Sequence, residues 1–116
     1  MKLDIDNDMV EVKLNLLEIL LSFHGSFSIP VDRITEVSTE KPGWQWGARA
    51  PGINIPFLVK MGTYLVSGGR EFWVTTIGRP YLVIEIEGWN YVRIILTMSD
   101  NKLWAERIRQ KIQTVK

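Results

Sequence analysis

The segment from Tyr81 to Val115, YLVIEIEGWNYVRIILTMSDNKLWAERIRQKIQTV, predicts two strands, a tight turn and a closing helix. Apolar and polar residues alternate on both sides of Gly88-Trp89-Asn90, which is the pattern of half-buried strands. A three-residue loop sets apolar residues opposite apolar residues and Glu85 opposite Arg93, whereas a two-residue loop would place Glu85 against an isoleucine. The pattern therefore predicts a β-hairpin with a three-residue loop.

A helix is predicted directly after this hairpin. Ser99-Asp100 provides a residue type that commonly caps helix N-termini. The apolar residues Trp104, Ile108, Ile112 and Val115 then recur at helical spacing. Because they form one apolar stripe, we expect the helix to bury a single face against the strands.

The composition favours one packed domain in a reducing compartment. The chain has 116 residues, of which 46% are hydrophobic, so it can build its own core. The absence of cysteine excludes disulfides, thiolate metal sites and cysteine nucleophiles. A net charge of +1 does not favour nucleic acid as a partner. The acidic start does not resemble a signal peptide, and the longest apolar run, Leu14 to Phe23, is too short for a transmembrane segment, so we expect a cytoplasmic protein.

The rest of the chain predicts a series of short strands. Residues 1–8 are acidic and lack periodicity, which indicates a loose N-terminal lead-in, and residues 9–116 are expected to form a single domain. Leu16 to Leu21 fit either one helical turn or a bulged strand, and both alternatives bury the leucines. With the hairpin, about seven strands precede the helix, which is typical of a small β-sandwich or barrel. The other strands are predicted at Val10–Leu14, Phe23–Ile29, Ile34–Thr39, Val59–Val66 and Arg70–Thr75.

Residues 41–56 interrupt this series and are the best candidate for a recognition loop. They contain three prolines and three glycines, a density that argues against long regular elements. They also contain Trp44, Trp46 and Arg49, residue types that anchor many interfaces. The alternative is that the two indoles fold over the barrel mouth as a lid.

The predicted hairpin offers a second candidate surface. Trp89 lies at the turn tip, where a side chain is normally exposed, so the indole suggests contact with another surface. In the three-residue register Val83 faces Ile95 on the side away from the core, with Tyr91 close to them. A non-core face this apolar is expected to be covered by another sheet or by a partner.

Five segments carry a family resemblance, namely Ser28–Ile34, Arg49–Pro56, Gly62–Tyr64, Gly69–Trp73 and Tyr91–Ile95. On these segments, the chain resembles the bacterial pleckstrin-homology-like domain family. The resemblance implies a seven-stranded antiparallel bent barrel plugged by a C-terminal helix. Eukaryotic members bind phosphoinositides through basic residues around the first loop, but here Lys13 is bracketed by Glu11 and Glu18, so phosphoinositide binding is not expected.

The sequence contains no recognisable catalytic pattern. His24 is the only histidine and occupies an alternating polar position of a predicted strand, which favours a structural role. Glu85 and Glu87 share a strand face roughly 7 Å apart, a spacing that solvent-facing strands produce routinely, and Arg93 is a structural partner for them. We therefore expect no enzyme, no cofactor and no metal.

These observations predict a non-enzymatic interaction module that self-associates or binds a protein partner. The residues expected to make the contact are the aromatic, arginine and apolar ones singled out above. The alternative function is binding of an anionic ligand or lipid headgroup through residues 41–56.

Overall fold

A computed structural model of the chain describes residues 1–16, 18–19, 25–40, 48–55, 59–66, 68–76 and 78–115; for 48–55 and 59 it describes the backbone alone. In these ranges the protein is mainly β with one C-terminal helix. The strands are β1 (Lys2–Asp6), β2 (Met9–Lys13), β3 (Phe27–Pro30), β4 (Ile34–Ser38), β5 (Ala48–Ile55), β6 (Val59–Val66), β7 (Gly69–Thr76), β8 (Tyr81–Ile86) and β9 (Arg93–Thr97), and helix α1 is Asn101–Val115.

The first sheet has three antiparallel strands in the order β1-β2-β3. Asn7 and Asp8 both have positive φ, at 49° and 62°, and they form the two-residue turn between β1 and β2. Asn and Asp tolerate this left-handed conformation better than most residues, which makes the tight hairpin possible. Lys2–Asp6 are therefore a paired strand, and the prediction of a loose lead-in over residues 1–8 is wrong for them.

The second sheet has six strands in the order β4-β8-β9-β7-β6-β5. Its neighbours are antiparallel except β7 and β9, which run parallel because β9 inserts between β7 and β8. The described strands thus number nine in two sheets and close no barrel, so the predicted seven-stranded antiparallel barrel is wrong in both count and strand direction. Alternation along single strands could not reveal which strands become neighbours.

Strand β5 occupies a segment in which no long regular element was expected. It spans Ala48–Ile55 and includes Pro51, which has no backbone N–H to donate. The sheet accommodates the proline because β5 is an edge strand and its register against β6 shifts between Arg49 and Gly52. Proline and glycine therefore mark a bulged edge strand here.

The predicted hairpin register is confirmed. Strands β8 and β9 pair Glu85 with Arg93 and Val83 with Ile95, and Ile86 N donates to the carbonyl oxygen of Val92 at 2.9 Å. The predicted helix after Asp100 is also confirmed.

The segment Leu16 to Leu21 was ambiguous in sequence. Its described part is helical, with Ile19 N donating to the carbonyl oxygen of Asn15 at 2.9 Å. Leu16 is 73% exposed, so its predicted burial is wrong. Leu17, Leu20 and Leu21 lie outside the described residues, as does His24.

The main core lies between the two sheets and the helix. Helix α1 buries Ala105 and Ile108, and the small sheet contributes fully buried residues such as Val10 and Ile29. Phe27 of β3 meets Phe72 of β7 edge to face, with ring centroids 5.3 Å apart. One face of the six-stranded sheet is thereby covered by both the helix and the small sheet. In the described ranges, no helix has the length and apolar character needed to cross a membrane.

Candidate interaction surface

The residues predicted to bind a partner do not form one exposed patch. Trp44 and Trp46 lie outside the described residues, and for Arg49 the backbone in β5 is described without its side chain. Val83 and Ile95 are 6% and 0% exposed, so neither offers surface to a partner in this conformation. The apolar face predicted around Val83 and Ile95 is present, but other parts of the chain cover it.

The turn tip of the β8–β9 hairpin is folded back on the core. Trp89 is only partly exposed, and its ring centroid lies 6.3 Å from that of Phe27 and 6.0 Å from that of Tyr91. Glu87 N donates to the carbonyl oxygen of Arg33 at 2.9 Å, which ties the tip to the 3-10 turn before β4. The indole at the tip is therefore partly buried against the core instead of fully exposed, and its role in binding a partner stays a prediction.

Tyr91 is likewise a core residue. It is 8% exposed, and its hydroxyl lies 3.2 Å from that of Thr63 on β6. Arg70 lies over its ring, with the guanidinium carbon 5.2 Å from the centroid. Tyr91 thus connects the hairpin to the β6–β7 end of the sheet.

The six-stranded sheet has a second buried face, which we call the outer face. Tyr64, Trp73, Val83 and Ile95 form a separate apolar cluster there. Strand pairing sets Trp73 beside Ile95 and Ile95 beside Val83, so the cluster crosses three strands in one row. Gly62 stands opposite Trp73 on β6 and leaves space next to the indole.

A row of charges runs beside this cluster. Glu71 is 1% exposed and accepts hydrogen bonds from Trp73 Nε1, at 3.0 Å, and from Arg93 Nη1. Arg93 Nε also donates to Glu85 Oε1 at 2.9 Å, and these two carboxylates raise the pKa of Arg93, with the hydrogen bond to Glu85 the largest cause. The buried carboxylate is thus compensated by hydrogen bonds and by a guanidinium.

Lys60 completes the network. Its Nζ lies 3.5 Å from the ring centroid of Trp73 and 4.5 Å from that of Tyr64, which are cation–π distances. Burial lowers the pKa of Lys60, and the charge of Glu71 partly opposes this effect. On the outer face, the charges of Lys60 and Arg93 thus balance those of two glutamates, Glu71 and Glu85. We therefore interpret these four side chains as a structural network.

The sequence pattern predicts the pairing of Glu85 with Arg93, but it does not indicate that Glu71 and Lys60 belong to the same charge network. Glu71 faces Arg93 only because β7 and β9 pair in parallel. No local pattern signals that pairing, since parallel neighbours are joined through distant parts of the chain. In β6, alternate residues lie on the same face, so Lys60 and Tyr64 share a face. This alternation was the signal from which the position of Lys60 could have been predicted.

The exposed candidate surface lies at the end of the β6–β7 hairpin. We define the hairpin end as Leu65, Val66, Gly68, Gly69 and Arg70, together with the backbone of Ala48. Leu65 is 44% exposed, and it pairs with Ala48 on one side and Arg70 on the other. Arg70 is also exposed. An exposed leucine and an exposed arginine therefore lie side by side next to the start of β5.

The edges of the six-stranded sheet are protected against strand pairing. On β4, Arg109 Nη2 of the helix donates to the carbonyl oxygen of Val37 at 2.8 Å. On β5, Pro51 lacks a donor and the bulge distorts the edge. A partner of this sheet is thus expected to dock through side chains.

Comparison with known proteins gives no relative. No protein-family model matches the chain, and no curated protein or solved structure matches it either. In the part of the chain that the structure describes, no three His, Asp or Glu side chains group closely enough to hold a metal ion.

Proposed function

We propose that this protein is a non-enzymatic interaction module that docks a protein, a second copy of itself included, through the hairpin end. The observation that carries the proposal is the exposed pair Leu65 and Arg70, which are direct partners across β6 and β7. The resemblance to pleckstrin-homology-like domains and a cytoplasmic setting belong to the same proposal. The mainly β architecture with a C-terminal helix is compatible with that resemblance, whereas the parallel pair β7 and β9 departs from the antiparallel barrel that it implies.

The composition of the hairpin end favours a partner with an apolar residue next to an acidic one. Leu65 offers an apolar side chain whose burial stabilises a complex by about 1 kcal/mol. The guanidinium of Arg70 is held over Tyr91, so little side-chain entropy is lost when it binds a carboxylate. A stable interface needs roughly 1,000 Å² in total, so the partner has to contact more of this end of the sheet than these two side chains.

Sedimentation velocity over a wide range of protein concentrations tests the self-docking form of this proposal. We expect concentration-dependent dimers in the wild type. Leu65→Ser and Arg70→Glu should each weaken the association constant by about ten-fold, because they remove the apolar contact and reverse the charge. The matched controls are Leu103→Ser and Arg107→Glu, which change an equally exposed leucine and an exposed arginine on the helix.

If the helix variants weaken the dimer as much as the hairpin-end variants do, the interface does not lie specifically at the hairpin end. A wild type that stays monomeric at every concentration would remove self-docking and leave a different protein as the required partner. Crosslinking of the wild type and the Arg70→Glu variant to a candidate acidic protein then provides the comparison.

The second candidate function is binding of an anionic ligand or lipid headgroup. The exposed guanidinium of Arg70 favours this function. A second arginine, Arg49, follows Ala48, which pairs with Leu65 beside Arg70. Co-sedimentation with vesicles that contain phosphatidylserine would distinguish it from protein docking. Vesicle binding that Arg70→Glu abolishes and Leu65→Ser preserves would favour the headgroup, because only the charge then matters.

A further inference from the structure

The parallel pair β7 and β9 creates a cavity at one edge of the sheet. Parallel strands end at the same edge, so the residues that follow β7 and those that follow β9 come together there. A cavity of about 410 Å³ lies at this place, and Arg79 and Asp100 both line it. Its volume falls within the range of small-molecule sites.

Arg79 is held by the turn that follows β7. Gly78 has a φ of +81°, a left-handed conformation that side chains rarely adopt, and it reverses the chain toward β8. Arg79 N donates to the carbonyl oxygen of Thr76 at 3.4 Å, and the carbonyl oxygen of Pro80 accepts from Met98 N at 3.0 Å. These two bonds join the turn to the ends of β7 and β9, so the sheet fixes the backbone of Arg79, while its side chain is exposed.

Asp100 is held by the start of helix α1. Its carbonyl oxygen accepts from Trp104 N at 3.2 Å, and its Oδ2 accepts from Trp104 Nε1 at 3.1 Å. A carboxylate has more acceptor positions than one indole N–H uses, so Oδ1 remains able to accept. The carboxylate is therefore oriented by the helix and still has capacity for a ligand.

The charges around the cavity are incompletely matched. The Met1 ammonium and Glu18 Oε1 form a pair at 2.9 Å that is almost buried. Arg79 and Asp100 carry opposite charges and line the same cavity, yet among the described residues neither forms an ion pair with the other or with a third group. Arg79 and Asp100 thus line the same cavity, and among the described residues neither has an ion-pair partner.

We propose that this cavity binds a small zwitterion of the amino-acid type. The carboxylate of the ligand pairs with Arg79, and its ammonium pairs with Asp100. A simple anion would meet the repulsion of Asp100, and a simple cation would meet that of Arg79, so a molecule with both charges is favoured over either. The hydroxyl of Thr97 accepts from Thr76 N at 3.0 Å and can donate its own proton to the ligand carboxylate.

Titration of the full chain with L-alanine, followed by amide chemical shifts in solution, tests the proposal. We expect saturable binding with a Kd on the order of 1 mM, and we expect the shift changes to centre on Thr76, Thr97 and the start of the helix. Acetate and methylammonium, each with one of the two charges, should bind at least roughly ten-fold more weakly. No binding of L-alanine, or equal binding of acetate, would overturn the proposal.

Two charge-removing variants assign the roles of the residues. Arg79→Gln and Asp100→Asn should each weaken alanine binding by roughly ten-fold. Asn caps helices as well as Asp, so the second variant keeps the helix start, and Arg107→Gln on the exposed side of the helix is the control. Unchanged affinity in both cavity variants, with the same amides shifting, would contradict the assignment. The shift map of the wild type decides the location of the site if a variant fails to fold.

Discussion

At the scale of single residues, the buried charged side chains of the outer face differ in how well their charges are compensated. Glu71 is almost fully buried, and Trp73 Nε1 and Arg93 Nη1 both donate hydrogen bonds to its side chain. Lys60 is different, because its ammonium has aromatic faces beside it and loses hydration on folding. The lowered pKa of Lys60 means that the folded state disfavours its charge relative to water.

We therefore predict that Lys60→Met is at least as stable as the wild type near pH 7. Between the lowered folded pKa and the ordinary value of 10.5, the unfolded chain binds more protons than the folded one, so wild-type stability gains from Lys60 as the pH rises. The advantage of the variant, measured by urea unfolding, should shrink from about pH 7 to about pH 10.

Lys60→Arg is the control for this prediction, since it keeps the charge and should lack the advantage at neutral pH. A stability difference between Lys60→Met and the wild type that stays constant with pH would show that the charge of Lys60 is not disfavoured in the fold.

At the scale of elements, the β6–β7 turn is constrained from two directions. Gly69 has a φ of +150°, and a Cβ built there would lie 2.7 Å from Val92 Cγ1. Val92 is fixed in turn, because its N–H donates to the carbonyl oxygen of Arg70 at 2.8 Å. Glycine at position 69 thus serves both the turn and the close approach of the β8–β9 hairpin.

Gly69→Ala should lower the free energy of unfolding by about 2–4 kcal/mol, from backbone strain and overpacking together. In a Val92→Ala background the same substitution should cost about 1 kcal/mol less, because only the strain remains. Chemical denaturation of the four proteins of this cycle measures the coupling. Additive costs within error would mean that Val92 moves aside freely.

The elements were predictable from sequence to different degrees. The β8–β9 register follows from Glu85 and Arg93, because one register alone matches charge and apolar faces, and helix α1 follows from its stripe of apolar residues. The direction of Trp89 does not follow, since the bond from Glu87 N to Arg33 joins parts of the chain distant in sequence. The sequence did not indicate the hairpin end as a candidate surface, because the exposure of Leu65 and its pairing with Arg70 depend on how β6 and β7 end.

At the scale of the whole molecule, two sheets and a helix share one core. Ile29 of the small sheet, Phe72 of the large sheet and Ile108 of the helix are all fully buried in it. Because each layer covers apolar surface of the others, loss of one layer exposes the rest to water. We infer that the described layers unfold together.

Ile29→Ala tests this cooperativity. The substitution should cost about 3 kcal/mol through the lost side chain and the cavity left behind. Amides of the six-stranded sheet should lose hydrogen-exchange protection in parallel with those of the small sheet, and the denaturant m-value should not change. Protection that falls in β1–β3 alone would show that the small sheet opens as a separate unit.

The order of the strands also governs when the large sheet can form during synthesis. Strand β9 lies between β7 and β8, although it is the last of the described strands to leave the ribosome. Until Arg93–Thr97 has emerged, β5-β6-β7 and the β4-β8 pair have no strand to join them. The nascent chain therefore carries two incomplete half-sheets with open inner edges, and a chaperone that binds such edges would be needed most at this stage.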